Sequence, residues 1–399
     1  MPQPSKGALQ KNIVKFAWYK VLTKRTYLPI ITIYLVEVAH LSVNEIATIA
    51  VISAMFELAL QLPGGYFADY FGNKKALRSS TWLITLSPLC YLIFPNFWGG
   101  LLGSLLFFGA WAFQQGSGEA FMHDTMVALK AESQYAKIMG RSQSYGLIGN
   151  LILTAIIPTT YIIDKRLPFI LGFISLVVMS SLIYSFTFPP HRKQPNSGKR
   201  LPITAMLTIL NSRNVILFLF AGTATAVAIS GGQYKELLFQ AQSVDPILFG
   251  FIASAGSLLG AAIGMSTHFL ANRLPSRLFY FIDTVLLSVS LFVAGYFQNP
   301  FVSIAAMIVF VGYGRIRLIV IQAKLLTDTR AYKATLLSTL SFVSQVAHVG
   351  VVTYFGWLVS NLGLADGHVW FGVSVFCVLF ILWLIVSNTQ PQSKPQQTS

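Results

Sequence analysis

Charge is scarce in this chain. Asp, Glu, Lys and Arg make up 10% of 399 residues, while 54% are hydrophobic; a soluble domain carries about 25% charged residues. So little charge cannot coat a globular surface with polar groups, which excludes a soluble globular protein. Acids are scarcer than bases, with 13 Asp and Glu against 28 Lys and Arg. The two cysteines, Cys90 and Cys377, both fall in apolar stretches, so neither a disulfide nor a metal site is expected. No HExxH, Walker-type loop or GxSxG occurs, which removes support for an ATPase or an intramembrane hydrolase. The chain is therefore not expected to be an enzyme, and no cofactor is expected. Its start, MPQPSKGALQK, is polar and lacks the apolar core and cleavage site of a signal peptide.

Apolar length is what the chain does have. A spanning helix needs roughly 20 mostly apolar residues. Twelve segments meet that need, at about 17–41, 46–67, 76–95, 98–120, 141–163, 167–188, 214–234, 247–271, 275–297, 301–323, 334–359 and 368–387. The expected class is an all-α integral membrane protein. With the N-terminus placed inside, the inner connections hold 23 of the 28 Lys and Arg and the outer ones only Lys165, Arg166 and Lys235. That sorting follows the positive-inside rule. It accounts for the net charge of +15 without a nucleic-acid partner, and it puts both termini in the cytoplasm.

The chain divides near its middle. PPHRKQPNSGKRLP, from Pro189 to Pro202, is basic and rich in Pro, Ser and Gly, and reads as a cytoplasmic linker. The expected parts are a six-helix bundle over 1–188, a linker over 189–213, a second six-helix bundle over 214–387 and a disordered tail over 388–399. A degenerate repeat supports the division. Phe67-Ala68-Asp69-Tyr70-Phe71-Gly72-Asn73-Lys74 lines up with Leu270-Ala271-Asn272-Arg273-Leu274-Pro275-Ser276-Arg277. Internal repeats of this kind mark transporters whose sites lie where the halves meet.

The stretch GGYFADYFGNKK, Gly64 to Lys75, joins the second and third spans. Its glycines allow a tight turn and close helix approach. Lys74, Lys75 and Arg78 can meet lipid phosphates. Asp69 runs against the basic trend of the inner side, so it calls for a protein partner.

Gly65-x-x-x-Asp69-x-x-Gly72-x-Lys74-Lys75 resembles the signature between helices 2 and 3 of the major facilitator superfamily. The resemblance extends to span count, central loop and orientation. It implies two pseudo-symmetric six-helix bundles that rock about a central site. It also implies that Asp69 latches onto the inner end of helix 11, which begins near Lys333-Ala334-Thr335-Leu336-Leu337-Ser338. Gln115-Gly116-Ser117-Gly118-Glu119-Ala120, followed by Asp124, resembles the inner end of helix 4 in an uncharacterised bacterial branch of that family. Glu119 and Asp124 therefore join Gly65, Asp69, Gly72, Lys74, Lys75 and Lys333 as expected latch residues. The helix-4 Arg of many antiporters is absent, with Ala112 in its place. Gly146, Gly149 and Pro158 do not form the antiporter motif of helix 5.

Several ionisable residues fall inside spans, where an unpaired charge costs at least ~2.5 kcal/mol. Glu57, Asp283 and His348 are read as proton-coupling groups, with structural hydrogen bonds as the alternative. Arg315 and Arg317 lie two residues apart, about 200° around a helix, so they face different ways. Arg315 is expected to face the cavity, and Arg317 to snorkel or pack on a neighbour. Lys20, Lys24, Tyr27 and Tyr34 recur at near-helical spacing, which makes Lys20, Lys24 and Tyr27 candidate cavity residues. In the other reading Lys20, Lys24 and Arg25 mark the cytoplasmic start of the first helix. Gly256, Gly260 and Gly264 read as a helix-packing stripe.

The expected function is secondary active transport of a small molecule by alternating access, with proton-coupled efflux of a small organic or amphiphilic compound as the first choice. Proton-coupled uptake of an organic anion or nutrient through Lys24 and Arg315 is the alternative within that class. A non-transporting receptor or a lipid-translocating protein on the same scaffold is the alternative outside it. The expected partners are the solute, a proton and the bilayer. The expected setting is a bacterial cytoplasmic membrane, and the expected state a monomer.

Overall fold

In the computed structural model of the chain, every regular element among the described residues is a helix. The described residues are 5–23, 25–114, 117–189, 212–264, 273–328 and 333–389. Within these, the side chains of 61–69, 71, 136, 212–214, 315, 323, 325–328, 333–338 and 389 are not included. The elements are α1 (Lys6–Leu22), α2 (Leu28–Glu37), α3 (Val43–Phe71), α4 (Asn73–Ile93), α5 (Phe97–Gln114), α6 (Ser117–Ala128), α7 (Tyr135–Ile156) and α8 (Leu167–Tyr184). The second half of the chain gives α9 (Ser212–Ser230), α10 (Lys235–Ala241), α11 (Phe249–Gly264), α12 (Ser276–Tyr296), α13 (Pro300–Asp328), α14 (Lys333–Leu362) and α15 (Leu364–Thr389).

Nine helices are long and apolar enough to cross a membrane, or ten if the pair Val215–Ser230 and Lys235–Ala241, bent by 45°, is one span; these counts cover the described residues. Two of the twelve expected spans fall outside that set for physical reasons. α4 is helical over 76–93 of the expected 76–95, but Ser79, Ser80, Thr81, Thr85 and Ser87 dilute its apolar content. The segment 17–41 is broken. α1 ends at Leu22, and α2 begins at Leu28 with Pro29 in its first turn, where a missing N–H costs nothing.

The first helix also starts earlier than its composition suggests. Asn12 is fully buried: its Nδ2 donates to the Thr187 carbonyl at 2.7 Å and its Oδ1 accepts from the Thr187 amide at 3.1 Å. Phe16 is buried beside Phe121 and Phe186 in one apolar cluster. A polar N-terminal turn is thus held by hydrogen bonds to a segment about 175 residues away.

Two compact units result. One holds Met1–Lys199 together with Glu236–Ala255; the other holds Arg200–Lys235 together with Gly256–Ser399. In the first unit α1 lies close against α7. A Cβ on Gly149 would sit 2.5 Å from Val21, and one on Gly146 would sit 2.8 Å from the Lys20 Cβ. These glycines are required by helix approach. In the second unit α11 meets α13 in the same way. A Cβ on Gly260 would stand 2.9 Å from the Gly312 carbonyl oxygen, and one on Gly312 the same distance from that of Gly256. The expected linker falls almost wholly on 190–211, outside the described residues.

Candidate functional site

The most charged buried cluster among the described residues lies in the second unit. Asp283, on α12, and Arg317, on α13, have no exposed side-chain surface. The guanidinium grips the carboxylate at both ends, Nε to Oδ1 at 2.7 Å and Nη2 to Oδ2 at 2.6 Å. The Tyr313 hydroxyl donates to Oδ1 at 2.8 Å. The third guanidinium nitrogen donates to Thr225 Oγ1 on α9 at 3.0 Å, and that hydroxyl passes its own proton to the Ala221 carbonyl at 2.6 Å. One ion pair therefore fastens three helices. Tyr313 and Arg317 are four residues apart, so one face of α13 presents both to Asp283.

Of the two placements expected for Arg317, the structure shows the second: it does not snorkel but packs on a neighbouring helix, 1% exposed, as the counter-ion of Asp283. The side chain of Arg315 lies outside the described residues. His348 is buried on α14, with Nδ1 2.9 Å from Ser230 Oγ on α9. Glu57 is half-buried on α3.

In the first unit, Lys20 Nζ lies 2.6 Å from Glu119 Oε1, joining α1 to α6. Glu119 is 42% exposed, so solvent screens this pair and it contributes little to stability. Tyr27 is fully buried and does not line open space. Its ring centroid lies 4.9 Å from that of Phe169, beneath Gly172, with its hydroxyl 3.5 Å from Ser87 Oγ. The break between α1 and α2 removes the continuous helical register that aligned it with Lys20. Lys24 lies outside the described residues.

The two signature stretches meet through Asn73, whose Nδ2 is 3.4 Å from Asp124 Oδ2. Gly72 adopts φ 84° and ψ 154°, between α3 and α4, a conformation open essentially to glycine alone. Lys74 and Lys75 are exposed. The side chains of Asp69 and Lys333 lie outside the described residues, so the expected latch contact between them does too.

One polar cluster was not singled out in the sequence. Glu37, at the end of α2, accepts from the Tyr161 hydroxyl at 2.9 Å and pairs with Lys165 at 2.9 Å. It also accepts from Gln240 Nε2, on α10, at 2.5 Å. Nearby, Ser254 donates to the Leu151 carbonyl at 2.9 Å, and Gly250 lies beneath the carbonyls of Thr154 and Ala155. Glu236–Ala255 is thereby fixed to residues far earlier in the chain. The signal was an acid among apolar residues, but its partners lie 124 to 203 residues away.

Comparison with known proteins agrees with this architecture. Raffinose permease from Escherichia coli is 21% identical over 389 residues, covering 91% of this chain and 89% of that protein. The nucleoside transporter NupG superposes with a TM-score of 0.78 at 13% identity, over 96% of this chain and 99% of that one. The D-xylose-proton symporter gives 0.65 at 13% identity, over 95% and 96%. A peptide transporter of the POT type, solved with sulfate, gives 0.71 at 14% identity, over 97% and 96%. The model of the Major Facilitator Superfamily matches residues 20–349. Apolar helices in series, a buried ion pair between them and a family match across most of the sequence lead to one conclusion: this multi-pass membrane protein belongs to the Major Facilitator Superfamily of transporters.

Proposed function

We propose that the protein takes up a small polar organic solute by proton-coupled alternating access, with Asp283 as the proton-carrying group and Arg317 as its counter-ion. The observation that carries this reading is the fully buried Asp283–Arg317 pair with its links to Tyr313 and Thr225. A proton on Asp283 and the ion pair to Arg317 are alternatives. Exchanging one for the other changes what holds α9, α12 and α13 together. Breaking a buried pair costs about 3–5 kcal/mol. One proton crossing 100 mV yields about 2.3 kcal/mol, so roughly 130–220 mV matches that cost. The switch therefore suits the size of its energy source.

Uptake is preferred to the efflux first expected, because the similar proteins carry the names permease and symporter and act on raffinose and D-xylose. Glu57 and His348 are secondary candidates for proton transfer, and Lys20 and Arg315 for the solute cavity. Asp69 with Lys333 remains the proposed latch. The charge sorting supports a cytoplasmic membrane with both termini inside.

The test is a counterflow and accumulation screen in proteoliposomes with an imposed pH gradient. Accumulation should follow the gradient in the wild type and vanish in Asp283→Asn, while solute exchange without a gradient persists. Equal accumulation by both proteins would contradict the proposal.

A further inference from the structure

Arg25 occupies a position that no role so far explains. It follows the 17-residue helix α1, roughly 25 Å along the chain at 1.5 Å per residue. It therefore does not mark the start of the first helix. Its guanidinium carbon lies 3.4 Å from the centroid of Phe107 and 5.9 Å from that of Phe108, both on α5. Phe107 is ten residues into Phe97–Ala128, a stretch long and apolar enough to cross a membrane, and about 15 Å from its beginning. Phe107 also packs on the buried apolar cluster of the first unit. Arg25 is thus held inside the bundle at membrane depth.

A charge there needs compensation. Among the described residues no carboxylate lies within 4.0 Å of Arg25; its contacts are the two aromatic faces. A cation–π contact gives about 0.5–2 kcal/mol, less than the ~2.5–3.5 kcal/mol cost of a charge at that depth. Arg25 is only half-buried, so part of the residue remains accessible. Beside it, Thr26 is fully buried, and its hydroxyl has no hydrogen-bond partner among the described residues. The Phe107 ring continues into Trp111, one turn on, with centroids 6.3 Å apart and planes 17° from parallel. Arg25 is thus a cation with no carboxylate partner among the described residues, set beside an aromatic shelf.

We propose that Arg25 and the shelf beside it form the solute's anion subsite: Arg25 binds a carboxylate or similar acidic group, and Phe107 and Trp111 carry the ring or apolar body attached to it. The substrate class is a small organic acid. This deepens the transport reading and rests on it for the solute's being cargo.

The test measures binding by thermal shift on the purified full-length protein, using matched probes: D-galacturonate against D-galactose, and benzoate against benzamide. At least one acid should bind at least ten-fold more tightly than its neutral counterpart. Arg25→Gln should weaken that acid at least ten-fold, and Arg25→Lys, which keeps the charge, should weaken it less. Phe107→Leu should weaken the acid without restoring the neutral probe. Equal binding within both pairs, binding of neither acid, or unchanged acid affinity in Arg25→Gln would overturn the assignment. The two readings fail separately. Proton-driven accumulation of a neutral solute indifferent to Arg25 would remove the anion subsite and leave proton coupling intact. Arg25-dependent acid binding without proton-driven accumulation would do the reverse.

Discussion

Replacing Arg317 with methionine should be among the most destabilising single changes in the second unit. It removes two of the three hydrogen bonds that reach Asp283 and leaves a carboxylate with no exposed surface held by the Tyr313 hydroxyl alone. Orphaning one member of a buried pair costs about 3–5 kcal/mol, roughly 10²–10⁴-fold in the folding equilibrium. Thr225 suffers little, because its hydroxyl still donates to the Ala221 carbonyl. Asp283→Leu alone should cost a similar amount by orphaning the arginine. The double variant Asp283→Leu/Arg317→Met carries no buried charge and should recover most of the loss. A remainder of about 1–3 kcal/mol is expected, because Tyr313 loses its acceptor; adding Tyr313→Phe should remove it. The assay is reversible unfolding in mixed micelles, compared as a double-mutant cycle. A double variant whose destabilisation equals the sum of the singles would refute the reasoning, since it would mean the two charges do not compensate each other. The stabilised variants should fold and yet fail to accumulate solute.

Other sites separate large effects from small ones. Glu37→Ala removes the acceptor shared by Tyr161, Lys165 and Gln240, so amide exchange across Lys235–Ala241 should rise at least ~10-fold by mass spectrometry; unchanged protection would mean the cluster holds nothing in place. Gly72→Ala forces a side chain into φ 84° and should cost about 1–3 kcal/mol in unfolding titrations. Gly260→Val meets the Gly312 backbone at a site already 2.9 Å from a bare Cβ, so a stability loss of about 1–3 kcal/mol is expected. Lys20→Met breaks only a half-exposed pair and should change stability by no more than ~1 kcal/mol.

Composition and periodicity made the helical membrane architecture legible, because burial in lipid restricts a chain to few solutions. Asp283 stood out for the same reason: an acid in an apolar run needs a partner. The partner was not legible. Arg315 and Arg317 are two residues apart on one helix, and choosing between them as the partner requires the rotation of α13 against α12, which no local pattern encodes. Tyr27 was misplaced because its spacing from Lys20 assumed a continuous helix, whereas the chain breaks between Thr23 and Tyr27. Arg25 was taken for an interfacial residue for a related reason. The polar turn before Phe16 hid the true start of α1, which depends on Asn12 meeting Thr187. Glu37 was missed because its partners converge only after folding.

Proton movement during solute entry bears most directly on the role of Asp283. Proteoliposomes loaded with a pH-sensitive dye should acidify inside when solute is added outside, in proportion to the solute taken up. Asp283→Asn should exchange solute with no acidification. Acidification by that variant equal to the wild type, or wild-type uptake with no pH change, would contradict proton carriage by Asp283.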